Sequence, residues 1–122
     1  MVISLSLLPT ADSIIVFTSP MNGHLRYAGA DAAEQHRVLR GIIVDDPVLM
    51  RFLSGIADLN LPDPLLGSGA IYNSVWNVLT GRPRHAGIKD ADLVYFDIAD
   101  LSYEAEDRVI RRVRSYFAGS PI

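Results

Sequence analysis

At 122 residues, 49 % of them apolar, the chain is long enough for one domain with a real core and too apolar to be disordered. A net charge of −3 argues against a general nucleic-acid binder, whose affinity rests on clustered Lys and Arg. There is no cysteine, which excludes disulfides, zinc ribbons and thiol nucleophiles and fits a cytoplasmic setting.

The first 19 residues are apolar but lack a positively charged start, and Asp12 interrupts them, so they do not read as a signal peptide. No stretch reaches the roughly 18 uninterrupted apolar residues of a membrane span. Two short apolar runs, Ile3 to Leu8 and Ile14 to Phe17, are split by Pro9 and Asp12. The second is β-branched and aromatic and predicts a strand. Pro20-Met21-Asn22-Gly23 is a turn signal, and the composition changes there. Residues 1–24 therefore read as an N-terminal extension and 25–122 as the domain. The alternative is that the first segment gives the domain a strand pair. Met21 is a second possible start.

Asp31 predicts the cap of a helix running to about Val44, with Glu34 placed to close a capping box. Ala32, Gln35, Leu39, Ile42 and Ile43 form its inward stripe. Asp46 and Pro47 open a second helix, on which Leu49, Phe52, Leu53 and Ile56 share one face. Pro62 and Pro64 end that pair. Leu65-Leu66 reads as a short strand, Gly67-Ser68-Gly69 as a turn, and Ala70 to Leu79 as a helix with Ile71, Val75, Val78 and Leu79 inward. Gly81 stops it. After a basic loop from Arg82 to Lys89, Asp92 to Phe96 reads as a strand, with Leu93 and Tyr95 on the face opposite Asp92. Ser102 caps a last helix, acidic in its first turn and rich in arginine in its last turns, as the helix dipole favours.

Two motifs carry chemistry. A glycine turn opening a helix leaves free backbone N–H groups at the positive end of the dipole, a ready anion site, and the Ser68 hydroxyl adds a donor. Alone, Gly67, Ser68 and Gly69 are as well explained by tight packing. Asp90 and Asp92, one residue apart, point the same way from a strand. Paired carboxylates suit a divalent cation carrying phosphate, although alone they also read as solvated turn residues. The order, glycine turn first and Asp-x-Asp about twenty residues later, favours the metal reading. Lys89, beside Asp90, is the cation placed best for phosphate; its alternative is a simple pair with that aspartate. Tyr72 and Trp76, four apart on the glycine-turn helix, read as core, with base stacking as the sharper alternative. The arginines from Arg108 to Arg114 read as a solvated face paired with Glu104 and Asp107. His24, His36 and His85 are scattered and make no metal cluster.

The stretches LRYAGADAAEQHRVLRGIIVDDPVLM, SGAIYNSVWNVLTGRP, GIKDADLVYFD and LSYEAEDRVIRRV resemble a family of uncharacterised bacterial nucleotidyltransferase-like proteins, within the superfamily that includes DNA polymerase β. The resemblance covers Leu25 to Arg112. It implies an α/β (α+β) fold, a small mixed β-sheet flanked by helices. It also implies a site in which Asp90 and Asp92 hold Mg²⁺, or Mn²⁺ in its place, while Gly67, Ser68, Gly69 and Lys89 bind the nucleoside triphosphate. An enzyme of this kind transfers a nucleotidyl group to an acceptor, here unknown. Such enzymes also use a third carboxylate on a later strand, and the chain ends at Ile122 where that strand is expected, so it reads as a truncated member. Asp97 is no substitute, since its spacing from Asp92 sends it to the opposite face. The alternative function is a catalytically inactive remnant, an interaction module that forms a homodimer through an exposed sheet edge. Nucleic acid and membrane are not expected partners.

Overall fold

The computed structural model describes residues 2–6 and 23–119. In chain order these form β1 (Val2–Ser6), a 3₁₀ turn at Gly23–Leu25, α1 (Ala32–Val44), α2 (Pro47–Leu59), β2 (Leu65–Leu66), α3 (Ser68–Leu79), β3 (Asp90–Val94) and α4 (Tyr103–Tyr116). The expected α/β (α+β) class, a small sheet flanked by helices, is what is found. The expectation of a mixed sheet is corrected in one respect: both pairings among the described residues are antiparallel, in the order β1-β3-β2. The predicted strand at Ile14 to Phe17 lies outside the described residues. Val2–Ser6, which overlaps the first apolar run, pairs with β3, Ser4 opposite Asp92 and Ser6 opposite Asp90.

The helix boundaries follow their caps. The Asp31 carboxylate accepts from the Glu34 N–H at 2.8 Å. Glu34 does not close the box; its carboxylate is paired with Arg37 instead. Asp46 caps α2, accepting from the N–H groups of Val48 and Leu49 at 3.0 and 3.1 Å. Asn60, left-handed at φ 47°, ends α2 before the prolines. Gly81, at φ 68°, follows α3 as a helix-stopping glycine does. Ser102 caps α4 through the Ala105 N–H.

The core lies on one face of the sheet. Leu49, Phe52, Ile56 and Leu59 of α2, Ala70 of α3 and Val113 of α4 pack with Phe117 against Ala91, Leu93 and Tyr95. The Phe52 and Phe117 rings meet at 5.1 Å. Leu93 and Val113 are sealed from water, and burying each contributes about 1.5–3 kcal/mol. Gly55 is required at the α2–α4 crossing, because a Cβ there would stand 2.6 Å from the Phe117 ring. The predicted inward stripe of α1 is only partly covered: none of its residues is fully buried, and Leu39 is exposed.

The inward face of α3 differs from the apolar one predicted. Ala70, Ser74 and Asn77 are buried, while Ile71, Val75, Val78 and Leu79 are half-buried. Val75 and Leu79 face Val38 and Ile42 of α1 across a shallow groove. Tyr72 and Trp76, read as core, are exposed, and Trp76 lies against His24.

Candidate site at the head of the third helix

Both halves of the site sit where β2 meets β3. Leu65 pairs with Val94 and Leu66 with Leu93, so the next residue, Gly67, falls opposite Asp92. The Gly67 N–H donates to the Asp92 carbonyl, extending the ladder by one bond beyond β2. Gly67 is also the N-cap of α3. The helix therefore starts two residues earlier than predicted, directly beside the second aspartate. Glycine is needed here for close approach: a Cβ would lie 2.7 Å from the Asp92 Cβ and 2.9 Å from its carbonyl oxygen.

This geometry divides the work of the three predicted residues. Gly67 has committed its N–H to β3 and acts by letting the helix come close. With no side-chain cap on α3, the first-turn N–H groups of Ser68, Gly69 and Ala70 remain at the positive end of the dipole. The Ser68 hydroxyl is not among the described groups. Gly69 opens onto free space, with nothing within 4 Å of where its Cβ would be.

The strand β3 begins at Asp90 rather than Asp92, so both aspartates lie within it. Ala91 and Leu93 are buried between and beyond them, while Asp90 is exposed and Asp92 half-buried. The two carboxylates thus share the face turned away from the core. Two residues along a strand are about 6.7 Å, at which two unit charges repel by about 0.6 kcal/mol in water. Among the described residues no third His, Cys, Asp or Glu joins them in a metal-binding group. The donor set fits an ion that brings its own phosphate oxygens, as Mg²⁺ does with one or two carboxylates; it does not fit an ion caged by protein alone. Asp97 lies past the strand and accepts from the Ala99 N–H.

The basic loop is pinned, and mostly for structural reasons. Asn77 donates to the carbonyls of Arg84 and Ala86, both at 2.9 Å. Arg84 donates to the Ile42 carbonyl near the end of α1. His85 Nε2 lies 2.8 Å from Asp46 Oδ2, which is wholly buried. Burial pushes the Asp46 carboxyl up, but the His85 ring and the Leu49 and Val48 N–H groups outweigh it, and the net shift is downward. Lys89 is exposed beside Asp90. On α4, Arg111 pairs with Asp107 as spacing predicted, whereas Arg108 reaches Asp100 rather than Glu104. Sequence reading missed Asn77, whose only signal was a polar residue three after Ser74 among the apolar residues of the helix's second half, and the joining of Asp46 to His85.

A family model described as nucleotidyltransferase matches residues 54–122, more than half of the chain. The chain belongs to the nucleotidyltransferase family. Neither a curated protein nor a solved structure was found to match it. Both halves of the site, the head of α3 and the two aspartates of β3, lie inside the segment matched to the family, while β1, α1 and the first half of α2 precede it. Among the described residues no helix is long and apolar enough to cross a membrane.

Proposed function

We propose that this nucleotidyltransferase binds a nucleoside triphosphate with Mg²⁺ at the head of α3 and transfers its nucleotidyl group to an acceptor. The observation that supports the reading is the register of Gly67 with Asp92, which brings the uncapped start of α3 against the strand that carries both aspartates. Asp90 and Asp92 would hold the ion. The N–H groups of Ser68 and Gly69 donate to phosphate oxygens, and Gly69 leaves room for them. Lys89 adds positive charge next to Asp90. A divalent ion held there supplies charge against the phosphate oxygens and orients them. The absence of cysteine accords with a cytoplasmic setting.

Calorimetric titration of each nucleoside triphosphate, with and without Mg²⁺, tests this. Wild type should give Mg²⁺-dependent heat with at least one nucleotide, and the double variant Asp90→Asn, Asp92→Asn should give none. Unchanged affinity in the double variant ends the reading. A second reading, an inactive module that dimerises through the sheet edge, draws on two observations. No third ligand joins the aspartates among the described residues, and Leu65 on the edge strand is 67 % exposed. A monomer by light scattering counts against it.

A further inference from the structure

The sheet face that carries Asp90 and Asp92 changes chemistry along its length. Burial alternates without a break from Asp90 to Phe96: Ala91, Leu93 and Tyr95 are buried, and Asp90, Asp92, Val94 and Phe96 fall on the other side. Residues directly opposite in an antiparallel pair share a face, so Leu65, opposite Val94, joins them. This face begins next to the charged Lys89-Asp90 pair and ends in an apolar strip of Leu65, Val94 and Phe96.

Just past the end of β3, the Phe96 N–H donates to the Pro62 carbonyl at 3.2 Å, one residue off the β2–β3 register. Tyr95 already fills the core side at 8 % exposure, and Phe96 is left 61 % exposed. Leu65 is exposed as well and Val94 is half-buried, so this end of the face offers apolar surface to solvent. Phe96 stands four residues beyond Asp92 and two past the end of β3, at most about 13 Å of extended chain, a separation that an extended nucleotide spans between its phosphates and its base.

We infer that this strip receives the nucleobase, stacked on the Phe96 ring against Leu65 and Val94; the inference rests on the nucleotide reading above. The strip lies along the strand that carries both aspartates, and its three side chains are uncharged, which suits the flat face of a neutral heterocycle. Leu65, Val94 and Phe96 themselves offer no side-chain hydrogen-bonding group, so they discriminate weakly among bases. Tyr72 sits two residues past Ala70, about 200° around α3 from the side that faces the core and sheet.

The test titrates the four common nucleoside triphosphates and inorganic tripolyphosphate, each with Mg²⁺, into wild type, Phe96→Ala and Phe96→Tyr. Phe96→Ala should weaken every nucleotide by about 5- to 150-fold and leave tripolyphosphate unchanged, while Phe96→Tyr keeps nucleotide affinity. Equal nucleotide affinity in Phe96→Ala overturns the inference, as does an equal loss for tripolyphosphate. A change in mass by light scattering with nucleotide affinity intact assigns the strip to a second copy and also overturns it. If wild type binds tripolyphosphate as tightly as nucleotides, the phosphate site stands and the base site falls. If wild type binds neither, both fall.

Discussion

Two glycines two residues apart at the head of α3 should respond to the same substitution with opposite signs. In Gly67→Ala the new Cβ meets the Asp92 Cβ at 2.7 Å and the Asp92 carbonyl oxygen at 2.9 Å. Neither atom is the end of a flexible side chain, so the helix must move off the strand. Overpacking of this kind costs about 1–3 kcal/mol. Losing the bond from the Gly67 N–H to the Asp92 carbonyl adds about 1 kcal/mol, for a total of about 2–4 kcal/mol. In a chain of 122 residues each kcal/mol shifts the melting temperature by about 4 °C, so Gly67→Ala should melt about 8–16 °C below wild type. Gly69→Ala meets nothing within 4 Å and lies in the first turn of a helix, where alanine gains about 0.5–1 kcal/mol over glycine. It should melt about 2–4 °C higher, yet bind Mg²⁺-triphosphate at least about tenfold more weakly, because the methyl group stands where a phosphate approaches. Thermal melts by circular dichroism and calorimetric titration read both effects. A Gly67→Ala protein that melts with wild type, or a Gly69→Ala protein that melts below it, refutes the close-approach argument.

Other consequences are more local. The double variant Asp90→Asn, Asp92→Asn removes a mutual repulsion of about 0.6 kcal/mol, so it should melt no lower than wild type while losing Mg²⁺-dependent nucleotide binding. The Asp46 carboxyl is depressed in the fold, so its contribution is complete above the ordinary value of 3.8 and is lost as pH falls through the lower folded value. Wild-type melting temperature should therefore fall below about pH 4 more steeply than that of Asp46→Asn, in melts recorded across acid pH. Asn77→Ala strips two carbonyls of their donor and should cost about 1–3 kcal/mol in denaturant unfolding, with faster amide exchange in the segment 82–88.

The parts of this molecule legible in the sequence are those fixed by local chemistry. Asp31, Asp46 and Ser102 each supply a side-chain oxygen to the first turn of a helix, and each predicted start is found. The shared face of Asp90 and Asp92 follows from strand alternation alone. The misplaced edges of the site have a common cause. Aspartate is depleted in strands and glycine is unfavourable in helices, so the sequence alone puts Asp90 before β3 and Gly69 before α3. Tertiary context overrides both preferences: β1 pairs along the whole of β3, and Gly67 must pass within reach of the Asp92 backbone.

The inward face of α3 departs from its sequence pattern for a different reason. Periodicity assigns large apolar residues to the core, but a helix lying tightly on a strand needs small ones. Ala70 and Ser74 let α3 settle over the sheet, and the larger Val75 and Leu79 turn toward α1. Asn77 then faces inward because it has a task there: its amide holds the carbonyls of Arg84 and Ala86. That same helix carries the glycine head at one end and anchors, near the other, the loop that leads into Asp90. The spacing of about twenty residues between the two sequence motifs is thus the length of one helix and its pinned return. If Asn77 sets the path into β3, then Asn77→Ala should weaken Mg²⁺-dependent nucleotide binding although it touches neither the aspartates nor the head of α3. Titration of that variant, with binding intact despite lost stability, would separate the loop's structural role from the site.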